Sequence, residues 1–105
     1  MSISLRQALE RAIVRSIAED ILKEGWCIFC EEDDNEKSLE TPQEVWNETN
    51  KYDECCLVIK QGEELVGKIW LVFGNDGLDC IHDYTTGRLE FALKPTFDCI
   101  EQGQP

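Results

Sequence analysis

The sequence predicts an α+β fold: a predominantly antiparallel sheet of about four strands packed by helices, in the order α-β-α-β-β-β-α. Three observations carry this expectation. Leu5, Leu9, Ala12, Ile13, Ile17 and Ile21 recur at three- and four-residue spacing, the period of an amphipathic helix. From Cys55 to Tyr84 the pattern changes to short apolar runs separated by Gly-containing turns, as in hairpins. The chain has 105 residues, 42% of them hydrophobic, with three Trp and four Phe. That is one domain, 1–105, able to bury about two-thirds of the surface its unfolded chain exposes.

Ser4 followed by Gln7 is a capping-box start for the first helix, and Gly25 is placed to end it in a left-handed conformation. Trp26 to Cys30 is a short β-favouring run, taken as the first strand, and EEDDNE then cuts it off, so residues from about 31 to 40 are expected to form an acidic loop. Thr41-Pro42-Gln43-Glu44 combines an N-cap Thr, Pro at the first helical position and Glu three residues after the cap, and it starts a short helix through about Asn50. Val45, Trp46 and Thr49 supply its inward face, while Glu40, Glu44 and Glu48, four apart, are expected to line its outer side.

Cys55 to Lys60 and Leu65 to Phe73 read as a hairpin with Gly62 in the turn. Gly74-Asn75-Asp76-Gly77 then turns the chain into a third strand, Leu78 to Tyr84, because Asn, Asp and Gly tolerate the positive φ of tight hairpins. In the second of these strands Ile69, Leu71 and Phe73 share one face and Trp70 and Val72 the other, so a central strand covered on both sides is expected. In the tail, Leu89, Leu93, Phe97 and Ile100 are at roughly helical spacing, with Pro95 set to kink the helix or start a second piece.

Charge is regional. Ten acidic residues and two basic ones, Lys37 and Lys51, lie between Glu31 and Glu54, which places −8 of the net −12 in that window. A concentrated acidic surface repels nucleic acid and anionic membrane and speeds encounter with basic protein surfaces. No segment approaches the ~20 apolar residues of a membrane span, and the N-terminus lacks a signal-peptide core, so a cytoplasmic protein is expected. The six cysteines are then read as reduced thiols, not as a disulfide framework.

No catalytic, metal or cofactor site emerges from the motifs. Cys27-x-x-Cys30 with Cys55-Cys56 invites zinc, but residues three apart, like neighbours, point to opposite faces of a strand, and no Gly is present to build a knuckle. Cys80 and His82, on one strand face, suggest a nucleophile pair, yet their side chains run parallel about 6.7 Å apart. Asp79 and Asp83 stand roughly 13 Å apart, too far for an acid/base dyad. An EF-hand reading from Asp33 fails, with Lys37 at its fifth position and Ser38 where the turn Gly belongs.

Leu71 to Thr85, LVFGNDGLDCIHDYT, resembles a recurring stretch of small acidic uncharacterised bacteriophage and prophage proteins, in which a hydrophobic strand runs into Gly-Asn-Asp-Gly and an acidic strand ends Asp-Tyr-Thr. The likeness covers about residues 10 to 100, with its specificity in those fifteen positions. It implies a setting, the bacterial host cell, and a class of small acidic proteins that disable defence machinery. It transfers no catalytic residue, and the cysteine-rich composition departs from it.

The expected function is therefore a non-enzymatic inhibitor that binds the basic nucleic-acid surface of a host defence complex, of anti-CRISPR or anti-restriction type. Glu31, Glu32, Asp33, Asp34, Glu36, Glu40, Glu44 and Glu48 would supply complementary potential, and Trp46 or Tyr52 would anchor the contact. Helical carboxylates repeat every ~6 Å, against one charge per ~1.7 Å of duplex axis, so mimicry of nucleic acid is partial. The alternatives are an immunity protein or antitoxin against a basic toxin nuclease, and a small metal or thiol-redox protein using Cys27, Cys30, Cys55 and Cys56. Direct binding of nucleic acid or membrane is not expected.

Overall fold

The computed structural model describes residues 5–32, 35–74 and 80–101. The fold is α+β, with a five-stranded antiparallel sheet and four helices. In chain order these are α1 (Leu5–Lys23), β1 (Cys27–Glu32), β2 (Asn35–Leu39), α2 (Pro42–Thr49), β3 (Glu54–Gln61), β4 (Glu64–Val72), β5 (Ile81–Tyr84), α3 (Arg88–Ala92) and α4 (Lys94–Glu101). The strands lie in the order β2-β1-β3-β4-β5.

α1 ends as its sequence implies. Gly25 takes φ 80° and donates its N–H to the Leu22 carbonyl at 3.0 Å, satisfying one of the last carbonyls of the helix. Ser4 lies outside the described residues. The buried stripe is Glu10, Ile13, Val14, Ile17, Ala18 and Ile21, shifted from the expected one. At 100° per residue Leu5 falls about 150° from the centre of that stripe, and it is exposed.

The acidic loop expected over 31–40 is instead largely strand. β1 and β2 form a hairpin in full antiparallel register, with Ile28 opposite Leu39, Phe29 opposite Ser38 and Glu31 opposite Glu36. Leu39, buried on the helix side, anchors β2 to the core. The sheet consequently gains a fifth strand, and the acidic residues ride on regular backbone.

The hairpin of β3 and β4 turns at Gly62, with φ 64°, and carries a bulge at Ile59/Lys60. β5 begins at Ile81, and residues 75–79 of the turn before it lie outside the described residues. Pro95 sits at the second residue of α4, so the tail is two helical pieces. There its missing N–H costs nothing, because the first amides of a helix have no partner within it.

One face of the sheet carries Ile28, Cys30, Leu57, Ile59, Ile69 and Leu71, which join Ile13, Val14, Ile17, Ala18 and Ile21 of α1, Val45 and Trp46 of α2 and Leu89 in a single core. α1 packs against α2, α3 and α4, making one helical layer. Gly67, on this face, lets the segment after β5 approach: a Cβ there would lie 2.8 Å from Thr85 Cβ and 3.0 Å from Leu89 Cδ2. Thr85 grips the same place, its N–H donating to the Lys68 carbonyl and its hydroxyl accepting from the Lys68 N–H, both at 3.0 Å.

β4 has a strand on each side, but it is not covered on both faces. Ile69 and Leu71 are buried, whereas Trp70 is 38% exposed and Val72 half-buried. Among the described residues no helix layer stands on this second side. Over β1 and β3 it is roofed in part by the side chains of Lys60 and Lys68.

Candidate functional site

The predicted partner-binding residues divide into three groups. Asp33 and Asp34 lie outside the described residues, and Glu32 closes β1 opposite Asn35. Glu31 and Glu36 are exposed on the open face of the sheet, where each carries a lysine: Lys68 Nζ lies 3.5 Å from Glu31 Oε2 and Lys60 Nζ 2.7 Å from Glu36 Oε1. Each lysine crosses an intervening strand. Lys68 reaches from β4 past β3 to β1, and Lys60 from β3 past β1 to β2, its Nζ 5.1 Å above the Phe29 ring. Their aliphatic stems cover apolar surface while the ammonium heads stay wet, which accounts for Val58, opposite both Phe29 and Lys68, being 1% exposed on the side away from the helices. Glu31 and Glu36, like charges directly opposite each other and unfavourable as a pair, are both compensated this way.

The second group is the acidic stripe expected along α2. Glu40 and Glu44 are exposed. The cap forms as predicted: the Glu44 N–H donates to Thr41 Oγ1 at 3.1 Å, and the Thr41 hydroxyl donates to Glu44 Oε1 at 3.2 Å. Glu48, however, is not on the outer side. It is 5% exposed and accepts from Lys37 Nζ at 3.1 Å and Lys51 Nζ at 2.9 Å. It shares the inward face with Val45, Trp46 and Thr49, and the two ammonium groups compensate a carboxylate taken out of water. The stripe therefore shortens to Glu40 and Glu44.

The third group is aromatic. Trp46 is buried and packs edge-on against Phe73, with centroids 6.0 Å apart and planes at 89°. It belongs to the core and is not an exposed anchor. Tyr52 is exposed at 40%.

All six cysteines are free thiols: Cys30 and Cys80 buried, Cys55 and Cys56 half-buried, Cys27 and Cys99 exposed. Burial pushes the Cys55 thiol well above its ordinary range, with Cys30, Cys56 and Cys80 nearby adding to the shift. Cys56 is raised by burial first and then by Glu31, with Lys68 opposing. Both remain protonated at neutral pH, the reverse of an activated nucleophile. Among the described residues no group of three or more His, Cys, Asp or Glu side chains is arranged to hold a metal ion. Cys80 and His82 do not share a face: Ile81 pairs with Leu71 and Asp83 with Trp70, so His82 is the extra residue of a register shift. It is exposed, while Cys80 is buried.

Two features carried no signal in the sequence. Glu10, on the buried stripe of α1, is 2% exposed and accepts from the Gly74 N–H and from Arg6 Nη1, both at 2.9 Å, tying the end of β4 to the helix. The other is a depression of about 520 Å³ on the open sheet face, lined by Glu54, Cys55, Cys56, Trp70, Leu71, Val72 and His82. Its residues come from three strands, and only the register of the sheet assembles them.

Among the described residues no helix is long and apolar enough to cross a membrane. No protein-family model, curated protein or solved structure matches this chain.

Proposed function

We propose that this chain is a non-enzymatic binding protein whose acidic side seats on a basic protein surface of a nucleic-acid-handling complex, in the manner of a phage or prophage protein that blocks a host defence complex. The observation that carries the reading is the uncompensated charge flanking α2. Glu40 and Glu44 at its start and Asp53 and Glu54 after its end are exposed, and none of the four makes an ion pair among the described residues. Exposed carboxylates left without cations cost little in the free protein and supply potential that draws a basic partner. Glu31 and Glu36 contribute less, since a partner's cation must displace Lys68 or Lys60.

The test is a tagged pull-down from bacterial lysate at low and high salt with the parent and with Glu40→Lys/Glu44→Lys. The reading expects a nucleic-acid-handling protein that the parent retains at low salt, that is lost at high salt, and that the double variant does not retain. Equal retention by parent and variant would remove the reading's main support. An immunity protein or antitoxin has the same electrostatics, and the captured partner, a toxin nuclease, would identify it.

A further inference from the structure

We propose that the depression around Trp70 is the anchor of this interaction and takes a cationic side chain, an arginine or lysine, of the basic partner. The inference rests on the reading above and places the energetic centre of the contact on the open sheet face, at the Glu54 end of that acidic surface and not at Glu40 and Glu44.

The argument starts from an asymmetry on one surface. Four carboxylates on this face belong to described residues of known exposure: Glu31, Glu36, Glu54 and Asp83. All four are exposed. Glu31 and Glu36 are held by lysines that reach across whole strands. Glu54 and Asp83 make no ion pair among the described residues; Asp83 Oδ1 accepts only the Tyr84 N–H, at 2.8 Å. The two unpaired acids flank Trp70. Asp83 is directly opposite it on β5, and Glu54 is opposite Val72, the next residue of β4 on the same face.

Trp70 is the one tryptophan of the three that is exposed; Trp26 and Trp46 are buried. Trp70 lines the depression together with Cys56, Val72, Glu54 and His82. Beside this site the same face shows what it does with cations when it has its own: Lys60 lies over Phe29 and ends on Glu36. At Trp70 the ring is present with Glu54 in the same depression and Asp83 opposite on β5, and among the described residues no cation lies over it. Trp is the strongest aromatic partner for a cation, and a guanidinium both stacks on it and reaches a carboxylate bidentately. An exposed Trp in a concave site with charged rim groups has the composition of an interface hot spot. Cys56, kept protonated, contributes apolar surface and not chemistry.

The experiment uses the full chain and a nonaarginine peptide as the basic probe, with nonaglutamate as control. Binding is followed by the indole N–H resonances and by tryptophan fluorescence. The expected result is that nonaarginine, and not nonaglutamate, shifts the Trp70 indole resonance, and that Trp70→Ala and Glu54→Gln/Asp83→Asn each weaken binding about tenfold. The second variant changes only exposed side chains, so the question stays decidable if Trp70→Ala fails to fold. If Glu40→Lys/Glu44→Lys weakens binding while both other variants bind like the parent, this inference is overturned and the broader reading survives. If the parent shows no salt-dependent binding to nonaarginine, both are overturned.

Discussion

Replacing Glu48 with lysine should destabilise the fold, although a reading of α2 as an acidic stripe would make it a harmless surface change. The carboxylate is 5% exposed, and two ammonium groups, from Lys37 and Lys51, lie 3.1 and 2.9 Å from one of its oxygens. Glu48→Lys would remove both contacts and set a third ammonium beside them in a nearly buried place. Removing one partner of a fully buried pair costs about 3–5 kcal/mol. Here both lysine side chains are more than half exposed, so solvent screens the repulsion and the longer side chain can bend outward, which brings the cost to about 2–4 kcal/mol. With a urea m-value of about 2 kcal/mol/M, the midpoint falls by about 1–2 M. Trp46, buried on the same helix against Phe73, reports the transition by fluorescence. Glu44→Lys, exposed one turn earlier, is the control: it loses its exposed contact with the Thr41 hydroxyl and sets a cation in the first helical turn, which costs about 0.5–1.5 kcal/mol. If Glu48→Lys unfolds at the parental midpoint, the buried clasp has no energetic meaning and Glu48 returns to the candidate interaction surface.

Three further outcomes follow from the packing. Gly67→Ala should lower stability by about 1–3 kcal/mol, because its Cβ would lie 2.8 Å from Thr85 Cβ, a backbone-anchored atom that cannot swing aside; a parental thermal midpoint would show that the segment after β5 moves freely. Asp20, whose carboxyl is raised above 3.8 chiefly by burial, with the Thr96 hydrogen bond opposing, binds its proton more tightly when folded. Its contribution is therefore fully present below the unfolded pKa of about 3.9 and is lost as pH rises through the folded value. Subtracting the urea-midpoint profile of Asp20→Asn from that of the parent should give a difference that falls from about pH 4 upward, and a flat difference would refute this. In the folded protein at pH 8, a thiol reagent should modify Cys27 and Cys99 first, half-buried Cys55 and Cys56 more slowly, and Cys30 and Cys80 only on opening; simultaneous reaction of all six would contradict the burial seen here.

What the sequence determined by itself was the local grammar. The helix α1 and its stop at Gly25, the Thr41-Pro42 start of α2, the turn at Gly62 and the break at Pro95 each depend on backbone preferences within a few residues, and each is where it was expected, although the buried stripe of α1 is shifted. So is the α+β class, since helical and strand periods are properties of adjacent side chains. Tertiary structure decided the rest. Asn35 to Leu39 has one buried residue in five and no strand pattern of its own; it is a strand because β1 offers it a ladder and Leu39 a place in the core. Glu48 looks the same as Glu44 in a list of i and i+4 positions, but the side that faces Lys37 and Lys51 is set by where α2 docks. Both faces of β4 are apolar in sequence, and only the assembled sheet shows one covered by helices and the other left partly open, with lysine stems over the neighbouring β3 and β1 and Trp70 exposed beside two carboxylates that make no ion pair among the described residues. Such a site is built from register across three strands, and register is a long-range property that no local window contains.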